Sequence, residues 1–155
     1  MRFSTPALWA AAAHGRTEEV ERLLAEGADI GELNWDGSSG LHCASQGGRQ
    51  MIVQMLLEHR ADVNLQTRAG YSPLHCAAQG GQMQMVQILL GKGAVVDATT
   101  NAGYTPLHCA SAWGHSQVVQ LLVDQGADVN VSTPHKITPL ISASQWRDDG
   151  VNPKP

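Results

Sequence analysis

The sequence predicts an all-α repeat solenoid, and three observations carry that reading. Leu41-His42-Cys43-Ala44 returns as Leu74-His75-Cys76-Ala77 and again as Leu107-His108-Cys109-Ala110, each step being 33 residues. Gly15, Gly48, Gly81 and Gly114 keep the same step. Between these marks, apolar residues at helical spacing, such as Val86, Leu89 and Leu90, alternate with polar, turn-forming stretches. A fixed period of roughly 20–50 residues means stacked supersecondary units, none of which can bury its apolar face alone.

The register divides the chain into units of about 1–33, 34–66, 67–99 and 100–132, a partial fifth over 133–146, and a polar tail over 147–155. Residues 1–146 then form one repeat domain. Unit one is atypical. Trp9 stands where later units have His42, His75 and His108, and is expected to pack within the cap. Glu18, Glu19 and Arg22 make its second helix more polar, as an N-terminal cap requires where its outer face meets water. Unit two carries Gly40 at the position of Pro73.

Units three to five each open on a hydroxyl followed by proline: Ser72-Pro73, Thr105-Pro106 and Thr138-Pro139. That pair suits an N-cap and the first helical position. The helix that follows stops near a glycine pair or glycine, Gly80-Gly81 or Gly114, and a second helix runs to Gly93 or Gly126. Unit five begins in the same way, but after Trp146 the pattern dissolves into Arg147-Asp148-Asp149-Gly150. No second helix completes it. Either the array continues beyond this sequence or it closes on a half repeat, and fraying is expected there.

These units resemble the ankyrin repeat, a β-turn followed by two antiparallel helices. The resemblance rests on Thr105-Pro106-Leu107-His108 and on Gly126-Ala127-Asp128-Val129-Asn130, both in register with earlier copies, and covers about residues 5–146. It implies a non-enzymatic module that binds a protein or peptide in a concave groove made by hairpin tips and first helices. It also implies that the histidines hydrogen-bond along the stack. An alternative follows from the same family. Leu56 lies eight residues before Asn64, and Leu122 eight before Asn130, which is similar to the pattern of asparagine hydroxylation in ankyrin repeats. A further alternative is that the chain is part of a larger ankyrin scaffold protein.

Composition narrows the function. The formal charge is −4, and the 10 lysines and arginines are scattered, so no basic stripe for nucleic acid is visible. No apolar run reaches the ~18 residues of a membrane span. Three cysteines at one repeat position do not form a disulfide framework, which favours a reducing, intracellular compartment, cytoplasmic or nuclear. A monomer is expected, with end-to-end association through the region of Leu140 as an alternative.

The His-Cys pairs invite a metal or thiol reading, but adjacent helical residues point in different directions. Equivalent positions in stacked helices lie roughly 8–10 Å apart, too far to share one zinc or a disulfide. Cys43, Cys76 and Cys109 are therefore read as small buried hydrophobes. No catalytic residue, metal site or cofactor is assigned, and Gly47-Gly48 and Gly80-Gly81 lack the Lys-Ser/Thr that a phosphate loop needs.

The candidate partner surface comes from positions that differ between units. At the hairpin tips these are Trp35 with Asp36 and Ser38, Arg68 with Tyr71, Asn101 with Tyr104, and His135 with Ile137. On the first helices they are Gln46, Gln79, Ala112 with Trp113, and Gln145 with Trp146. Trp35, Tyr71, Tyr104, Trp113 and Trp146 are five of only seven aromatic residues, and tryptophan and tyrosine are enriched at interface hot spots.

Overall fold

The computed structural model describes residues 7–142. Eight helices follow one another as α1 (Leu8–Ala13), α2 (Thr17–Ala25), α3 (Gly40–Gln46), α4 (Gln50–Glu58), α5 (Pro73–Gln79), α6 (Met83–Gly91), α7 (Pro106–Ala112) and α8 (Ser116–Asp124). Residues 139–142 begin a further helix. Helices of seven to nine residues, as α3 to α8 are, do not hold alone in water, so the stack supplies their stability.

The first helices of units two to four, α3, α5 and α7, start on a reciprocal cap. In unit three, Ser72 Oγ accepts the His75 amide at 3.3 Å, and His75 Nδ1 accepts the Ser72 amide at 3.1 Å. Thr105 and His108 repeat this at 3.3 and 3.0 Å. Histidine here takes the role that Glu or Gln usually fills in a capping box. Unit one lacks such a cap, and Glu32 Oε2 accepts the Leu8 amide at 2.9 Å instead, reaching back across 24 residues.

Each second helix ends in one way. At α6 the Gly93 amide donates to Leu90 O and the Ala94 amide to Leu89 O. This paired closure needs a left-handed residue just past the cap. Gly27, Gly93 and Gly126 supply it, with φ of 83°, 93° and 94°. At α4 the same place is held by Arg60, at φ 66°.

Successive first helices pack more extensively on one another than successive second helices do. The first helices therefore form the inner layer of the stack and the second helices the outer one. One continuous core runs between them, with Leu41, Leu74 and Leu107 from the first helices and Ile52, Leu56, Met85, Leu89 and Leu122 from the second. Trp9 is half-buried on α1. At the far end Leu140 is 80% exposed, beside the exposed Ile141.

Candidate functional site

The hairpins between units share one turn. Thr67 N donates to Tyr71 O, Thr100 N to Tyr104 O, and Thr133 N to Ile137 O, at 2.8 to 2.9 Å. Neighbouring hairpins are tied at their tips. The Arg68 amide donates to Asp36 O at 3.1 Å, and the Asn101 amide to Ala69 O at 2.9 Å. Gly70 shows why this approach needs glycine: its φ is 90°, and a Cβ there would lie 2.6 Å from Asn101 N. Pro134 occupies the next donor position and has no N–H to offer, so this main-chain tie does not recur between the last two hairpins.

Trp35, Arg68, Asn101 and Pro134 are thus one register position on successive tips. Trp35 is 78% exposed, and Arg68 and Asn101 are also exposed. The Asn101 side chain is partly committed to the scaffold, because its Nδ2 donates to Arg68 O at 2.8 Å. His135 is exposed on the last hairpin.

The tyrosines are less open than the tips. Tyr71 is half-buried and meets the His75 ring edge-on at 5.7 Å; Tyr104 meets His108 in the same way at 5.5 Å. Each ring packs on the histidine of its own unit. Burial raises the Tyr71 hydroxyl above its usual range. On the inner helices, Ala112 is half-buried at the end of α7, and Trp113 follows as its C-cap, 42% exposed. Gln46 is exposed and Gln79 half-buried. Gln145 and Trp146 lie outside the described residues.

Beneath this surface the histidines link the units. His42 Nε2 lies 2.9 Å from Tyr71 O, His75 Nε2 2.8 Å from Tyr104 O, and His108 Nε2 2.9 Å from Ile137 O. A carbonyl oxygen only accepts, so each Nε2 carries the proton; each Nδ1 accepts a backbone amide and carries none, so the ring is neutral. Burial agrees with this: it lowers all three pKa values, that of His75 to about 4.

The cysteines are not uniformly buried. Cys76 is buried, whereas Cys43 and Cys109 are half-buried. Desolvation nonetheless pushes the Cys76 and Cys109 thiols up to about 12 and raises that of Cys43. Among the described residues no group of three or more His, Cys, Asp or Glu side chains could hold a metal ion.

Several interunit contacts have no simple sequence signal. Asn64 is exposed, yet its Nδ2 donates to Gly93 O at 3.1 Å and its Oδ1 accepts the Val95 amide at 2.9 Å. Asn130 is also exposed, but its bond is local, its amide donating to Asp128 Oδ1 of the same unit at 2.9 Å. At the opposite end of the first helices, His115 Nε2 lies 2.9 Å from Gln79 O. Only the shared register of residues 33 apart hints at such bonds.

A family model described as ankyrin repeats (3 copies) matches residues 2–67 and 61–133. The chain belongs to the ankyrin repeat family. A comparison with curated proteins returned no match. Ankyrin repeats are generally protein–protein interaction modules and typically non-enzymatic. Among the described residues, no helix of this ankyrin repeat chain is long and apolar enough to cross a membrane.

Proposed function

We propose that this ankyrin repeat chain binds a protein or peptide, without catalysis, along the inner surface formed by the hairpin tips and first helices. One observation carries the reading: Trp35 and Trp113 are exposed in a chain with only four tryptophans, on elements held rigid by interunit hydrogen bonds. A fixed aromatic ring offers contact area at low entropic cost, which is what hot spots require. Tyr71, Tyr104 and Ala112 line the same inner side, with Arg68, Asn101 and His135 along the rim and Trp146 assigned by register. The absence of paired cysteines supports an intracellular setting, and the scattered basic residues argue against a nucleic-acid partner.

The test is capture of partners from a lysate by the wild-type chain beside a Tyr104→Ala/Trp113→Ala variant of equal circular dichroism. Proteins retained by wild type and lost by the variant support the groove. For an identified partner, Trp113→Ala is expected to weaken binding by ~2 kcal/mol or more. Unchanged affinity removes Trp113 from the site.

A second reading, hydroxylation of Asn64 or Asn130, draws on the exposure of both residues. The two side-chain bonds of Asn64 to Gly93 and Val95 must open first, which favours Asn130. Intact mass after exposure to a hydroxylating host extract decides it, since each event adds one oxygen.

A further inference from the structure

The hairpin tips over 34–38, 67–71, 100–104 and 133–137 are built alike. Gly37, Gly70, Gly103 and Lys136 stand at one register position, each with a left-handed backbone, at φ of 84°, 90°, 86° and 61°. In the last three tips the same bonds recur at nearly the same lengths. The Gly70, Gly103 and Lys136 amides donate to Thr67 O, Thr100 O and Thr133 O at 2.8 to 2.9 Å. The Tyr71, Tyr104 and Ile137 amides donate to Thr67 Oγ1, Thr100 Oγ1 and Thr133 Oγ1, each at 3.1 Å. These internal bonds give no reason for one tip to open before another.

The fastening between tips differs. The second tip holds the first through the Arg68 amide, and the third holds the second through the amide and Nδ2 of Asn101. Gln66 Nε2 adds a bond to Thr99 O at 3.1 Å. The fourth tip has Pro134 at this place, with no N–H and no side-chain amide to give. Its ring lies against Gly103 instead, where an added Cβ would sit 2.8 Å from Pro134 Cδ. Lys136 adds strain, because it carries a side chain in the left-handed region where the other tips have glycine.

Lower down, the same hairpin is held. The Asp128 amide donates to Asp97 Oδ1 at 3.1 Å, and His108 Nε2 donates to Ile137 O at 2.9 Å. A segment tied at its base and free at its tip opens locally about the ties, without unfolding the rest.

We propose that the tip of the last hairpin, 133–137, is a hinged flap. It opens from the third tip about the ties at Asp97 and His108, while the three tips before it move as one body. The flap carries His135 and Ile137, so the wall of the inner surface beyond Tyr104 becomes adjustable. That consequence rests on the partner-binding reading. The hinge itself does not, and it is tested on the free chain.

Site-resolved hydrogen exchange of the folded chain at about pH 7, read as protection factors, is the experiment. The Lys136 and Ile137 amides are expected to be about tenfold or more less protected than those of Gly103 and Tyr104. Pro134→Asn restores the main-chain donor and the side-chain amide that Asn101 supplies one unit earlier. It is expected to raise protection of Ile137 to within about threefold of Tyr104. Asn101→Pro, the reverse change on the third tip, is expected to lower protection of Gly103 and Tyr104 about tenfold. Circular dichroism checks that each variant folds, and Pro134→Asn decides alone where Asn101→Pro does not. Equal protection of the third and fourth tips in the wild-type chain overturns the proposal. A last tip that exchanges as fast in Pro134→Asn as in wild type also overturns it, and assigns the looseness to a place late in the array rather than to the missing tie.

Discussion

His75 Nε2 lies 2.8 Å from the carbonyl oxygen of Tyr104, 29 residues on and in the next unit. The same ring accepts the Ser72 amide through Nδ1. One imidazole therefore starts its own helix and fastens the following hairpin. The bond at Nδ1 requires the neutral ring, because a proton there would face an N–H donor.

This makes stability depend on pH. The folded-state pKa of His75 is about 4, against 6.5 for the free side chain. Between these values the unfolded chain binds the extra proton and the folded chain does not. Stability is therefore complete above pH 6.5 and falls as the pH drops towards about 4, by ~3 kcal/mol for this group. His42 and His108 shift in the same direction and add to the loss. Urea unfolding at stepped pH measures it, and equal stability at about pH 7 and about pH 5 would contradict the neutral ladder.

Arg60 holds a left-handed backbone, φ 66°, where three other units have glycine. A side chain in that conformation costs about 1 kcal/mol. Arg60→Gly is expected to stabilise the chain by about that amount in thermal or urea unfolding. A loss of stability instead would show that the Arg60 side chain makes a contact worth more than the strain.

Ser45 on α3 is fully buried, and its hydroxyl has no hydrogen-bond partner among the described residues. The register places Ala12 and Ala78 at the same position in the neighbouring units. Ser45→Ala removes an unsatisfied polar atom at almost no cost in volume. Its stability is expected to equal wild type or exceed it by about 1 kcal/mol. A clear loss in calorimetry would reveal a bond that the geometry does not show.

Folded protein is expected to resist thiol reagents at about pH 8, because thiolate is the reactive form and burial holds Cys76 and Cys109 near 12. Full reaction should follow only after denaturant is added. Rapid labelling of native protein would mean that the inner layer opens, or that the half-buried Cys109 thiol is less shielded than that of Cys76.

Much of the fold was legible because a repeat writes each local rule several times. Ser72-Pro73 and Thr105-Pro106 announced helix starts, Gly93 and Gly126 announced stops, and the structure bears out each. The site was less legible. Exposure of Trp35 and Trp113 agrees with their place at tips and helix ends, but Tyr71 and Tyr104 pack half-buried on their own histidines. Asn101 spends a side-chain hydrogen bond on the preceding unit and Asn64 on the following one.

The sequence by itself determined the period, the order of helices and turns, and which positions repeat, because caps, glycines and apolar spacing act over a few residues. Tertiary structure decided which polar groups remain available and which are consumed between units. It decided that Pro134 interrupts the tie between tips and that Glu32 caps α1 from 24 residues away. Those outcomes depend on distances between units, and no local pattern of residues encodes the distance at which two units meet.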